Sequence, residues 1–360
     1  MKKRIISFVL ALIMVVSIAP PLAFAADTTD ELETTSVIDK IINLVASVER
    51  AKESWGFGEV DFSNLYIGNP VFAYEYVDDS LEENSKLYPI SADEKLLFWA
   101  VVADDMVTIS TGLVEQISIQ IGLEEAFCVI YDKYGCYAYT GNSCILLSAY
   151  GDEDVFEARS IFSPKVVYST KEIMFTSLAD KRQLDYKSGI MPSSPNYYYS
   201  INIPAVDQYS DDNICWAACA ACIVNYLTGT QLTAKDVAMR YYGYDYNKTA
   251  NSYEVEVMLK KYYDIDYLSY RVVISDYVIY RNLLDHYPIY ISWERVDGKK
   301  PGHACVLYGI DTYSGTISIM NPKGAYFQTA EAADGTYVFR SITSGTLFRM
   351  YGVVYHGTYY

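Results

Sequence analysis

The sequence is poor in histidine and in positive charge. Only three of its 360 residues are histidines, namely His286, His303 and His356. Lys and Arg together number 28 against 45 Asp and Glu, so the formal net charge is −17. Nucleic acids and anionic membrane surfaces bind proteins mainly through basic patches. We therefore expect neither of them as a partner.

Long apolar runs are equally scarce. One such run, residues 5–19, follows three basic residues at positions 2–4 and precedes an Ala-Phe-Ala motif at 23–25. It is too short for a membrane span, and the pattern is typical of a secretory signal with its cleavage site. No cysteine follows the run to carry a lipid. We expect residues 1–25 to be removed and the mature protein to be secreted, with no membrane partner afterwards.

Charged residues and tyrosines are distributed unevenly along the rest of the chain. Residues 27–190 hold 29 acidic and 12 basic side chains, whereas residues 191–360 hold 16 and 13. By contrast, 26 of the 37 tyrosines lie from position 191 onward. The stretch "KSGIMPSSPN" at 187–196 has the composition of a linker. We therefore predict two domains, an acidic one over 26–190 and a second one over 191–360.

The acidic region has the patterns of an α+β fold. Apolar residues at helical spacing predict a helix over about 33–54. Short β-branched and aromatic runs beginning at Val71, Leu96, Ala126 and Cys144 predict a mostly antiparallel sheet. These runs carry no catalytic motif.

Three cysteines of this region, Cys128, Cys136 and Cys144, are spaced evenly by eight residues. Zinc sites usually pair close ligands such as C-x-x-C, and the region has no histidine. A metal site or a disulfide remains an alternative, but ordinary strand thiols are favoured. We expect neither a metal nor a cofactor.

The stretch "SDDNICWAACAACIVNYLTG" at 210–229 is the most informative part of the chain. Asp211, Asp212 or Asn213 can cap a helix that runs over about 214–227 and stops at Gly229. The helix is apolar on all sides, which predicts that it is buried in the middle of a domain.

Cys215 falls in the first turn of that helix. Unpaired N–H groups and the helix dipole there favour a thiolate, the reactive form of cysteine. A purely structural cysteine has no need of this position. Cys219, Cys222 and Cys305 are better explained as free core thiols, and Trp216 as a core residue.

His303 begins the apolar run "HACVLYGI", which predicts an interior strand after a Pro-Gly turn. A strand over 287–293 precedes it through a hairpin loop, and "TISIMNP" predicts a third strand that ends at Asn321. A cysteine nucleophile needs a histidine base, and that base needs a third group to orient its ring. His286 and His356 fit a helix end and the chain's tail instead.

The motifs "NICWAACAA", "GHACVLYGID" and "IMNPKG" resemble those of the papain-like cysteine peptidases, especially compact secreted bacterial members such as staphopain. The resemblance covers about 202–355. It implies that Cys215 is the nucleophile, His303 the base and Asn321 the orienting residue, with the Gln208 amide at the oxyanion. In the family a Trp closely follows the Asn, whereas this chain has Pro322-Lys323-Gly324.

The resemblance implies hydrolysis of protein or peptide substrates through an acyl-enzyme. An acyl-transfer enzyme on the same triad and a non-catalytic surface-binding protein remain alternatives. The acidic region 26–190 fits either a pro-region that inhibits the second domain or a permanent binding domain, and the pro-region is favoured.

Cys215 should be the fastest of the seven cysteines to react with iodoacetamide near neutral pH, because its thiolate is stabilised. Mass mapping of the folded protein after brief labelling measures this order. Labelling of Cys128 or Cys305 before Cys215 would contradict a catalytic role for Cys215.

Overall fold

The computed structural model describes residues 28–78, 80–93, 95–122, 126–141, 143–149, 176–177, 197–209 and 213–357. The predicted signal peptide at 1–25 and the predicted linker at 187–196 lie outside these residues. Two compact units divide the chain, one ending at Asp39 and the other spanning Lys40–Tyr360. Within the described part, no helix is both long and apolar enough to cross a membrane.

Helices and strands are both abundant, which confirms the α+β class. Helices among the described residues, in chain order, are α1 (Thr28–Arg50), α2 (Val114–Gln120), α3 (Cys215–Thr228), α4 (Ala234–Tyr242), α5 (Ser252–Tyr263) and α6 (Asp276–Leu284). The first strands are β1 (Leu65–Ile67), β2 (Val71–Val77), β3 (Ser80–Ala92), β4 (Lys95–Ala103), β5 (Met106–Ser110), β6 (Cys128–Tyr131), β7 (Gly135–Tyr139), β8 (Cys144–Ala149) and β9 (Thr176–Ser177). The later strands are β10 (Tyr198–Ser200), β11 (Tyr267–Tyr270), β12 (Ile289–Arg295), β13 (His303–Asp311), β14 (Thr316–Asn321), β15 (Tyr326–Ala333), β16 (Thr336–Arg340) and β17 (Leu347–His356).

Strands β12 to β17 form a closed antiparallel barrel. Each strand pairs with the next along the chain, and β17 pairs back with β12. Strands β10 and β11 extend this sheet on β13 and β17. Helix α3 packs against β13, α4 and α5. Residues 216–225 of α3 are all buried, as its apolar sequence predicted.

Strands β1 to β8 form the sheet expected of the acidic region. Strands β1 to β5 pair antiparallel through β3 and β4, and β6, β7 and β8 form a meander. The pairing of β2 with β6 is parallel. All four predicted strand runs are found, whereas the helix predicted over about 33–54 ends at Arg50.

The acidic region and the barrel are joined by hydrogen bonds and by a common core. Ser110 of β5 pairs with Gln328 of β15, and the Ile109 N–H donates to Thr329 Oγ1 at 2.8 Å. Tyr131 donates its hydroxyl to the Ile342 carbonyl at 3.0 Å. The strands of both regions belong to the unit Lys40–Tyr360, so the predicted two-domain layout is not confirmed.

The loop between β16 and β17 makes a close contact at this junction. Gly345 has φ +63°, and a Cβ atom added there would lie 2.6 Å from Cδ2 of the Tyr131 ring. Only glycine combines a left-handed backbone with so close an approach of a neighbouring ring.

We predict that Gly345→Ala lowers the free energy of unfolding by about 1–3 kcal/mol more than Gly315→Ala does. Gly315 is the matched control, since it has φ +68° but nothing within 4 Å of its added Cβ. Both variants carry the left-handed penalty of about 1–2 kcal/mol, so their difference isolates the Tyr131 contact. Urea unfolding measures both. Equal losses of unfolding free energy in the two variants would show that the Tyr131 ring moves away from the added Cβ without a measurable cost.

Candidate active site

Cys215 is the first residue of α3, and its side chain is half-buried. The N-cap residue is Ile214, which supplies no side-chain hydrogen bond, so the predicted capping by Asn213 is wrong. Asp211 and Asp212 lie outside the described residues. Gly229 ends the helix with φ +71°, as predicted. The backbone N–H groups of Cys215 and Trp216 therefore remain available to the Cys215 thiol, and both hydrogen bond to it.

His303 is the first residue of β13, where it lies opposite Trp293 of β12. The next residue, Ala304, donates its backbone N–H to the Cys215 thiol. This hydrogen bond brings the tip of α3 to the start of β13. The structure thereby places Cys215 beside the segment that carries His303.

Asn321 ends β14 and is fully buried. Its Oδ1 atom lies 2.8 Å from His303 Nε2 and accepts the Lys323 backbone N–H at 3.1 Å. Because a backbone N–H can only donate, the atom facing it must be the amide oxygen. An oxygen in that place makes His303 Nε2 the donor, so the proton of the neutral ring sits on Nε2. The other ring nitrogen, Nδ1, is then unprotonated and can act as a base.

Gln208 lies beside the turn that follows Asn321. Its backbone N–H donates to the Pro322 carbonyl at 2.9 Å, and the preceding Asp207 accepts the Gly324 N–H at 3.1 Å. The Gln208 side chain is buried. It lines the same cavity as His303, so Gln208 lies near the His303–Asn321 pair.

Residues 198–333 match the family model described as "Papain-like cysteine protease AvrRpt2". This segment is a papain-like cysteine peptidase. The matched residues are less than half of the chain, and they include α3, β13 and β14. The protein is accordingly a cysteine-type peptidase, a hydrolase. No curated protein matches the chain.

The acidity of the peptidase's thiol differs from the sequence prediction. Burial raises the pKa of Cys215 to about 11, although hydrogen bonds from the Ala304, Trp216 and Cys215 N–H groups and the charge of Lys323 lower it. The helix tip acts in the predicted direction, but removal of water outweighs it. The predicted lowering of the thiol pKa is therefore wrong.

The imidazole of His303 is also kept neutral. Burial lowers its pKa to about 4, with a further lowering by Lys323, while the Asn321 hydrogen bond raises it. Phe348 contributes to this burial, with its ring centroid 5.5 Å from that of His303. Between about pH 4 and 11 the resting pair is therefore thiol and imidazole rather than thiolate and imidazolium.

All seven cysteines are described, and all are free thiols, which confirms the expectation for Cys219, Cys222 and Cys305. Burial raises the pKa of each one. Cys144 is half-buried and has a pKa of about 11, like Cys215. Thiol acidity alone would make these two react alike, so Cys144 is the internal control for the alkylation of Cys215. No group of three His, Cys, Asp or Glu that could hold a metal ion occurs among the described residues.

The cleft of the peptidase lies beside His303 and has a volume of about 840 Å³. The barrel supplies one wall, including Arg295, Lys323 and Phe348. The acidic region supplies the other, through residues 75–78 at the end of β2 and residues 131–133 at the end of β6 and directly after it. Sequence analysis did not predict that the acidic region would line the cleft.

The other singled-out residues lie where the sequence placed them. Trp216 is buried and donates its ring N–H to the Lys248 carbonyl at 2.7 Å, as expected of a core residue. His286 directly follows the C-cap residue of α6, and His356 ends β17.

Sequence analysis missed two residues of the site, Lys323 and Tyr326. Lys323 is the cation that acts on both Cys215 and His303. Tyr326 accepts a hydrogen bond from Asn321 Nδ2 at 2.9 Å. Their position two and five residues after Asn321 was the available signal.

The acid limb of kcat/KM should lie near pH 4 rather than near the ordinary histidine value of 6.5. Below it His303 is protonated and cannot accept the thiol proton, so activity falls as the pH falls. Lys323→Met removes a charge that lowers the His303 pKa, so the limb should move to higher pH. Tryptophan fluorescence over the same pH range distinguishes the loss of activity by protonation of His303 from a loss by unfolding. A limb at or above 6.5 that Lys323→Met does not move would contradict the assignment.

Proposed function

We propose that the protein is a cysteine endopeptidase in which Cys215, His303 and Asn321 form the catalytic triad and Gln208 supports the oxyanion. We also propose that it is exported, on the evidence of the leader at 1–25. N-terminal sequencing of protein recovered from the medium tests export.

One observation carries the proposal. His303 Nε2 lies 2.8 Å from Asn321 Oδ1, while the residue next to His303 donates its N–H to the Cys215 thiol. This arrangement supports a ring whose Nε2 is held by an amide oxygen and whose Nδ1 is unprotonated. A nucleophile, a base and an orienting group in this order are what thiol catalysis needs.

Acylation begins from the neutral pair. As Cys215 Sγ bonds to the carbonyl carbon of the peptide, its proton passes to His303 Nδ1. The imidazolium that forms donates that proton to the nitrogen of the leaving amine, and the C–N bond breaks. Proton transfer coupled to attack avoids a separated charge pair in a site where burial disfavours both charges.

Deacylation uses the same groups in reverse order. His303 Nδ1 accepts a proton from water, whose oxygen bonds to the acyl carbon. The bond between that carbon and Cys215 Sγ then breaks, and the sulfur regains the proton. Throughout, Asn321 Oδ1 accepts a hydrogen bond from His303 Nε2–H and so stabilises the ring when it is charged.

The oxyanion of both steps needs preorganised donors. The Cys215 backbone N–H is one, at the N-terminus of α3 where the helix leaves its first N–H groups unpaired. The Gln208 amide is the other in this proposal. Its backbone bond to Pro322 ties it to the turn that carries Asn321, so the oxyanion donor and the orienting amide are positioned together.

Cys215→Ala and His303→Ala should each lower kcat/KM on a peptide substrate by roughly three orders of magnitude or more, and the double variant should lose no more, because the two groups act as a unit. Asn321→Ala should lower kcat/KM by less than either of these variants does. His286→Ala is the matched control and should keep the wild-type rate.

Product masses with and without an added amine separate hydrolysis from acyl transfer. Near-normal activity of His303→Ala, or loss of activity in His286→Ala, would show that His303 is not the base.

A further inference from the structure

The amide nitrogen of Asn321 needs an acceptor inside the protein. The side chain is fully buried, so its Nδ2 hydrogens are shielded from water. Its Oδ1 is already engaged by His303 and by the Lys323 N–H. Nδ2 donates to the Tyr326 hydroxyl at 2.9 Å. Removal of that acceptor would leave a buried N–H group with one partner fewer, which is costly.

The Tyr326 hydroxyl continues this chain of hydrogen bonds. Because its oxygen accepts from Asn321, its own hydrogen is available to Ser341 Oγ at 3.4 Å. Ser341 Oγ in turn lies 3.1 Å from Thr343 Oγ1. All four side chains are buried, so this chain of hydrogen bonds holds the Tyr326 hydroxyl in place beside the Asn321 amide.

The Tyr326 ring is held by the acidic region. It belongs to a buried cluster with Ile342 of the barrel side and with side chains of the acidic region, among them Trp99 of β4, Leu113 after β5 and Val129 of β6. The turn after β5 also lies close to the ring. A Cβ atom added at Gly112 would lie 3.2 Å from Cγ and Cδ2 of Tyr326.

We propose that Tyr326 is a positioning residue for the Asn321–His303 pair and that the strands of the acidic region hold it in place. The region is thus a permanent part of the active peptidase and not a segment that must be removed. This inference rests on the triad proposed above, and it replaces the pro-region interpretation favoured by the sequence.

The cleft supports the same conclusion. With the acidic region docked, the space beside His303 still measures about 840 Å³, and residues of β2 and of the β6–β7 turn form one of its walls. A segment that lines the cleft and also packs around Tyr326 contributes to the site in two ways.

Tyr326→Phe should lower kcat by roughly 5- to 50-fold with little change in KM, because it removes one hydrogen bond from a buried amide and leaves the ring in place. Tyr267→Phe is the matched control. Its hydroxyl is also buried and donates to the Pro288 carbonyl at 2.7 Å, but it has no contact with Asn321. This control should keep the wild-type kcat, and thermal melting of both variants shows whether they are folded.

A double-mutant cycle tests whether Tyr326 acts through Asn321. On an Asn321→Ala background, Tyr326→Phe should cause no further loss of kcat, because the amide that it positions is gone. An additional loss as large as that in the wild type would assign Tyr326 an independent role and overturn the proposal. A wild-type kcat for Tyr326→Phe would overturn it as well.

The part played by the acidic region is tested at Gly112. Gly112→Ala pushes on Tyr326 and Ile342 from outside the barrel and should lower kcat several-fold. Gly315→Ala, whose added Cβ has nothing within 4 Å, should leave kcat unchanged at temperatures where the protein is folded. Equal effects of the two variants would overturn the assignment to Tyr326.

Limited proteolysis within 187–196 completes the test. A cut chain whose two parts stay associated should keep its rate, whereas a rise in rate on release of the acidic fragment would restore the pro-region interpretation. The rate of Cys215 alkylation relative to Cys144 serves as a second readout that needs no substrate. If neither the peptidase rate nor the rate of Cys215 alkylation changes in His303→Ala, the proposed triad fails, independently of Tyr326.

Discussion

The site depends above all on the orientation of one buried amide. Two N–H groups converge on Asn321 Oδ1, one from the Lys323 backbone and one from the His303 ring. The first is fixed by the chain and determines which amide atom faces the ring. The second follows from it and leaves Nδ1 as the basic nitrogen. Rotation of this amide by half a turn would place its N–H groups against both of these donors, while the Tyr326 hydroxyl accepts from the Nδ2 side of the amide.

Burial has opposite consequences for the geometry and the acidity of the site. It makes the hydrogen bonds of Asn321 strong and free from competition with water. It also disfavours every charge, and so it raises the pKa of Cys215 and lowers that of His303 despite three backbone donors at the sulfur. Lys323 favours the thiolate and disfavours the imidazolium, so its effects on a charge pair partly cancel. A neutral resting pair is the consequence, and charge develops only as the substrate reacts.

Local sequence patterns predicted much of the fold and the main members of the candidate site. The apolar helix with Cys215 at its tip and the strands that carry His303 and Asn321 were recognisable, because periodicity and turn residues act over a few positions. The protonation of the pair was not, since burial depends on residues distant in sequence, such as Phe348 beside His303. Tyr326 was missed for the same reason. Its role arises from a hydrogen bond to Asn321 and from packing against strands that lie far earlier in the chain.

The shift in composition near residue 190 predicted a domain boundary, but hydrogen bonds and core contacts join the regions on either side of it. Charge and tyrosine content describe the surface of each region, whereas the hydrogen bonds between β5 and β15 and the cluster around Tyr326 belong to the interior. A separate inhibitory segment needs only to cover a cleft, and its removal leaves a complete core behind. Removal of the acidic region would instead expose Tyr326 and Ile342, which are buried against its strands. The orientation of the Asn321 amide would then depend on a tyrosine facing water, and water would compete for its hydroxyl. A region with that effect is part of the catalytic structure, whatever its charge.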